Sequence, residues 1–138
     1  MLGLQVQFLE VKGSGDFMVA FDRAAGGRAE ILFIEESPMT DRHFRELAEL
    51  ALKRRLPAIA AKRSFADAGL LMSYGVDLVA LAERRAVFVD KILKGAKPAD
   101  LPVEQVSKFE LVINMKIAKL LGLTIPPSVL ARPDEVIQ

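Results

Sequence analysis

The chain has 138 residues, 51% hydrophobic and 27% charged, enough apolar material for one domain with a buried core and too little polarity for disorder. The 19 basic and 18 acidic residues leave a net charge of +1, which gives no electrostatic basis for binding nucleic acid or an anionic membrane surface. With no cysteine and a single histidine, His43, the sequence excludes disulfides, thiolate catalysis and the usual nitrogen-and-sulfur zinc sites.

No apolar run approaches the ~20 residues that span a bilayer. The opening MLGLQVQFLEVK lacks a basic n-region, and Gln5, Gln7 and Glu10 interrupt any h-region. It does not read as a signal peptide, so the chain as written is expected to remain cytoplasmic.

Residues 4–12 alternate apolar and polar, which predicts a strand with one wet face. Gly13-Ser14-Gly15-Asp16 predicts a loop, with Asp16 as N-cap of a short helix over 17–25 that Gly26-Gly27 stops. The apolar run 29–34 predicts a strand covered on both faces. Ser37-Pro38 opens a helix through Arg55, serine capping it and proline taking its first turn. Short strands are expected at 57–60 and 70–74, with one helical turn over 63–68 between them.

The longest helix is expected over 76–95, with Leu78, Leu81, Ala82, Phe88, Val89 and Ile92 as its apolar stripe. An extended connector at 97–102 is the one candidate hinge. A strand at 109–114, a helix to Leu121 ended by Gly122, and a last helix from Pro126-Pro127 that contains Pro133 complete the chain. Strands alternating with helices predict an α/β class: one domain, 1–138, three layers α/β/α with a mainly parallel sheet.

In such a sheet ligands bind beyond the carboxyl ends of the strands. That rule selects Lys12 to Gly15, Glu35 to Ser37, Ala61 to Arg63, Ser73 to Gly75, and Asn114. The Gly13–Asp16 loop matches neither phosphate-loop pattern, because Met18 stands where a dinucleotide loop carries its third glycine. It reads as a turn, and no cofactor is expected. Ser37 either caps its helix only or also helps hold a ligand carboxylate, while Glu35 and Glu36 are either solvated or positioned for a ligand amine.

Tyr74, the sole tyrosine, is either a core residue or a stacking face with one hydrogen bond, and Gly75 is expected to turn the chain sharply into the long helix. His43 lies beside the apolar stripe of its helix, as a solvated histidine does. No nucleophile elbow or metal pattern occurs, so nothing points to catalysis.

Four stretches carry a resemblance: MSYG (Met72 to Gly75), ILKGAKPADLPVEQ (Ile92 to Gln105), KFELVIN (Lys108 to Asn114) and GLTIPPS (Gly122 to Ser128). Together they resemble the C-terminal part of ABC-transporter substrate-binding proteins, in the branch of uncharacterised periplasmic transport components. The resemblance implies one lobe of a type I periplasmic binding protein, whose two α/β lobes close on a small solute, an amino acid or related carboxylate, for delivery to an ABC permease. It implies a periplasmic location and no bond-breaking chemistry. By matching position, Ser37 and the Ser73-Tyr74-Gly75 turn would line the cleft, and the strand-end rule adds Glu36 and Asn114.

The chain departs from the family pattern at Leu70, where glycine is usual, and at Pro133, where alanine is usual. The first lobe and a signal segment are expected to be absent, leaving a truncated site. The long helix over 76–95 then lacks its covering surface. A large apolar patch is seldom left bare, which predicts a homodimer with exchanged C-terminal elements. The other readings are a dimeric small-molecule sensor of the same fold, a non-binding structural fragment, and a small flavodoxin-like enzyme.

Overall fold

Apolar residues three and four apart give several helices of this chain a buried stripe, and short β-rich runs between them form a sheet for those stripes to cover. The computed structural model describes residues 3–138. Its strands are β1 (Leu32–Ile34), β2 (Ala58–Ala60), β3 (Met72–Val76), β4 (Phe109–Asn114) and β5 (Glu135–Ile137). The helices are α1 (Phe17–Gly26), α2 (Pro38–Arg42), α3 (Phe44–Lys53), α4 (Arg63–Ala68), α5 (Leu78–Leu93), α6 (Met115–Leu121) and α7 (Pro127–Leu130). The sheet runs β1-β2-β3-β4-β5 and every pairing is parallel except β3 with β4. The α/β class with a mainly parallel sheet is therefore the observed one.

Phe17, Phe21 and Ala24 of α1, Leu47, Ala48 and Ala51 of α3, and Phe65 of α4 pack as one buried cluster on Ile34, Ala58 and Ala60 of the sheet. The helical residues recur at i, i+4 and i+7 or at i, i+1 and i+4, so each helix turns one stripe inward. The strand residues share one parity, so all three face the helices. The opposite parity of the first strand, Phe33, stays 65% exposed. A smaller cluster joins Leu71 to Ile117 and Ala118 of α6.

Several elements differ from expectation, each for a physical reason. Residues 4–12 form no strand: the segment is unpaired, because no neighbouring strand offers it a ladder, and Leu4, Val6 and Phe8 are exposed. The Asp16 carboxylate does not cap α1. It accepts from the Lys12 and Gly13 amides at 3.0 and 3.2 Å and closes the preceding loop instead. The strand at 29–34 is shorter and is covered on one face only. The helix from Ser37 breaks at His43 (φ −110°, ψ 18°) into α2 and α3. The strand at 70–74 lies two residues later, since Leu70 and Leu71 are buried ahead of it. The last helix stops at Leu130 and does not contain Pro133, which instead leads into β5, a strand the sequence reading missed. The connector at 97–102 holds a short 3-10 turn, Pro98–Asp100.

The long helix α5 is an outlier in the core. None of its residues is buried, and Leu93 is 82% exposed. It is fixed at its root. The Asp77 side chain caps it by accepting from the Ala80 amide at 2.9 Å and from Lys108 Nζ at 2.8 Å, while the Asp77 amide donates to the Lys108 carbonyl at 3.1 Å. Farther out, Arg84 pairs with Glu104, so the connector folds back along the helix around a cleft of about 380 Å3 lined by Leu81, Phe88 and Val106.

The cap bond from Ala80 and then the Lys108 ammonium hold the Asp77 carboxyl below its ordinary 3.8. A depressed carboxyl stabilises the fold fully above the unfolded value, and that contribution is lost as pH falls through the lower folded value. The protection of the Ala80 amide, its exchange rate relative to the intrinsic rate at the same pH, is therefore expected to be high at neutral pH and to fall in acid below pH 3.8. Lys108→Ala should move that loss of protection to higher pH, and an unchanged profile would remove Lys108 from the account.

Candidate solute-binding edge

The carboxyl ends of β1, β2 and β3 open onto one edge of the sheet, and the antiparallel β4 begins there. The β2–β3 ladder ends at Ala60 opposite Ser73, so β3 runs on past it through Tyr74, Gly75 and Val76, paired with β4 alone. Four of the six residues selected from the sequence reach this edge: Glu36 and Ser37 after β1, and Tyr74 and Gly75 on the protruding part of β3.

Ser37 sits at the entrance to α2 in a closed capping box. Its Oγ accepts from the Thr40 amide at 3.1 Å, and its own amide donates to Thr40 Oγ1 at 2.8 Å. Its hydroxyl has a structural task, and Glu35 and Glu36 beside it are exposed. Tyr74 is 57% exposed and stacks on Phe109, centroids 5.8 Å apart and planes 23° apart. The two rings share a sheet face because Val76, two residues from Tyr74, is the register partner of Phe109.

Gly75 does not turn the chain, as expected from the sequence; it lies within β3 and is not among the glycines with positive φ. Its need is for space. A Cβ at this position would stand 2.2 Å from the Ala61 carbonyl oxygen, so only glycine lets β3 pass the segment leaving β2.

The remaining two residues stand elsewhere. Ser73 is buried to 1% exposure between its register partners Ala60 and Val112. Asn114 lies at the far end of β4, on the opposite edge of the sheet, because β4 runs antiparallel to β3. Its Nδ2 donates to the Ala66 carbonyl at 3.0 Å and its Oδ1 accepts from the Ile117 amide at 3.2 Å, capping α6. Both ends of that amide are committed to the fold.

The strand-end rule selected Ala61 to Arg63, but it carried no sign of the ion pairs by which these side chains brace this edge. Lys62 pairs with Asp41, whose Oδ1 is buried without a hydrogen-bond partner. Arg63 reaches Glu110 at 2.9 Å, Glu135 at 2.7 Å and Asp67 at 3.4 Å, tying α4 to β4 and β5. The hydrogen bond that Arg63 donates to Glu135, and then the one to Glu110, raise its pKa above the ordinary value. The one signal available in sequence was position: Arg63 directly follows a strand end, whereas its partners lie far downstream.

The strand ends carry an exposed, stacked aromatic pair beside Gly75, at the place where open α/β sheets take their ligands. The family model for ABC transporter substrate binding protein matches residues 1–137. The chain belongs to that family. No curated protein matches it. Among solved structures it is similar to the ABC domain in complex with L-Trp from Streptococcus pneumoniae, at 28% identity and TM-score 0.85, covering 98% of this chain and 45% of that one. A conserved domain protein from Vibrio cholerae is 27% identical, with TM-score 0.79, covering 91% of this chain and 42% of that one. At 20% identity and TM-score 0.72, the ligand-free, open substrate-binding protein with adhesive properties from Clostridium difficile shares the fold, covering 99% of this chain and 45% of that one. The chain thus spans less than half the length of the solved structures it matches.

Gly75→Ala should lower stability in urea unfolding by about 1–3 kcal/mol, because either β3 or the Ala61 carbonyl must move. A loss below about 0.3 kcal/mol would mean that the close approach is relaxed in solution.

Proposed function

We propose that this chain supplies one wall of the cleft in which an ABC importer's substrate-binding protein captures a small solute, an amino acid or related carboxylate, for an ABC permease. The observation that carries the reading is the coincidence of the family match with the strand-end edge, where Tyr74 and Phe109 present a stacked, solvent-facing aromatic step. Ser37, Glu36, Tyr74 and Gly75 are the wall residues in this reading. A planar or apolar solute side chain stacks on the ring pair, and exposed Glu36 lies within the same edge for an ammonium group. The bound L-Trp of the pneumococcal relative supports an amino acid as the solute class.

The location in this reading is outside the cytoplasmic membrane, as is usual for the family, and no helix among the described residues is long and apolar enough to cross a membrane. A single wall leaves the solute open on one side. The exposed face of α5, with Leu78, Val79, Val89 and Leu93, supports a second copy as the covering partner, in a homodimer that exchanges its C-terminal elements.

Calorimetric titration with L-tryptophan and a panel of amino acids is expected to give saturable binding to at least one of them. Tyr74→Ala should weaken it by roughly fivefold, the equivalent of about 1 kcal/mol of ring stacking. Binding that survives Tyr74→Ala unchanged would remove the aromatic step from the site, and no saturable binding across the panel would leave the chain a structural fragment.

A further inference from the structure

We propose that Arg63 is a positioning residue for the aromatic step: with Ala61 it grips the β3–β4 ribbon at one rung and so sets the angle at which Tyr74 and Phe109 stand. The need for a grip comes from the ladder. Tyr74, Gly75 and Val76 pair with β4 and with no other strand among the described residues. A two-stranded ribbon twists more strongly than strands inside a sheet. The ladder alone therefore leaves the angle of its side chains loosely set.

The segment leaving β2 meets the ribbon twice, and both contacts fall on the same rung. Gly75 and Glu110 are register partners. The Ala61 carbonyl oxygen lies so close to Gly75 that a Cβ there would stand 2.2 Å from it. Two residues on, Arg63 Nη1 donates to Glu110 Oε1 at 2.9 Å. One contact backs β3 and the other holds β4. Asp67 at 3.4 Å, on α4 itself, and Glu135 at 2.7 Å, on β5, fix the guanidinium in turn. Every group of this clasp finds its partner within residues 61–135.

The step stands directly behind that rung. Tyr74 precedes Gly75 in the chain and Phe109 precedes Glu110, and successive side chains of a strand point to opposite faces. The rings therefore stack on the face opposite the clasp, with centroids 5.8 Å apart and planes 23° apart. A change of twist at the Gly75–Glu110 rung is carried straight into the angle between the rings. Arg63 touches neither ring and acts through Glu110. For its consequence in binding, the inference rests on the reading of the step as part of a solute wall; for the placing of the rings it does not.

Tyr74 is the sole tyrosine and the chain has no tryptophan, so the tyrosine band of the near-ultraviolet circular dichroism reports on the step alone. Such a band requires a fixed side-chain environment. Phe109→Leu sets the scale, since it removes the stack. Arg63→Ala and Glu110→Ala should each lose at least about half as much of the band as Phe109→Leu does, with the far-ultraviolet spectrum unchanged. Glu135→Ala, which cuts the tie to β5 and leaves Glu110 in place, should keep the band. By calorimetry, the affinity for L-tryptophan should fall about threefold in Arg63→Ala, less than in Tyr74→Ala because both rings remain.

A full band in Arg63→Ala or in Glu110→Ala would overturn the proposal. So would an equal loss in Glu135→Ala, which would show a general loosening of the edge. If Arg63→Ala does not fold, the contrast between Glu110→Ala and Glu135→Ala decides. A wild-type chain that binds no amino acid would overturn the solute reading alone, and the dichroism would still judge Arg63.

Discussion

The antiparallel pairing of β3 with β4 governs the rest of the molecule. Five consecutive register pairs, from Met72 with Ile113 to Val76 with Phe109, bring the chain out of the sheet and back into it at the same place. The Asp77 amide, bonded to the Lys108 carbonyl, and the Asp77–Lys108 ion pair close the ribbon where it leaves the sheet. Everything between those residues, α5 and its connector included, is an excursion that starts and ends at one gate. The same ladder puts Tyr74 beside Phe109, sets Gly75 opposite Glu110, and carries Asn114 to the far edge.

The charge pattern reinforces that arrangement. Arg63 is half-exposed, and single exposed pairs contribute little, but three carboxylates from three elements share its guanidinium. The five donors of one planar group can serve several carboxylates where a lysine would meet one. Its main effect is geometric: one side chain links α4, β4 and the short β5 at the strand-end edge.

Local signals in the sequence were reliable wherever the cause was local. Ser37-Pro38 marked the start of α2, Gly122 sits at a φ of 74° as a helix C-terminus requires, and FELVIN is β4 residue for residue. The failures share a different cause. Residues 4–12 have the alternation of a strand, but a strand exists only when a neighbour supplies its hydrogen bonds, and alternation is silent about neighbours. The mid-strand position of Ser73 and the capping role of Asn114 depend on which way β4 runs, and strand direction is a tertiary property. Gly75 looked like a turn residue because the contact that requires it, the Ala61 carbonyl, lies fourteen residues upstream. The Arg63 network escaped for the same reason, its partners Glu110 and Glu135 being set beside it only by the folded sheet.

The single gate through which the α5 arm leaves and returns also has a mechanical meaning. Two strands bonded side by side resist bending within their own plane but yield readily to twist, the natural deformation of a narrow ribbon. An arm carried on such a ribbon swivels about the strand axis more easily than it sways across it. Because α5 is rooted at Asp77, directly after the line of Tyr74 to Val76, a change in the twist of this ribbon turns the helix face while leaving its root, and the aromatic step beside it, in place.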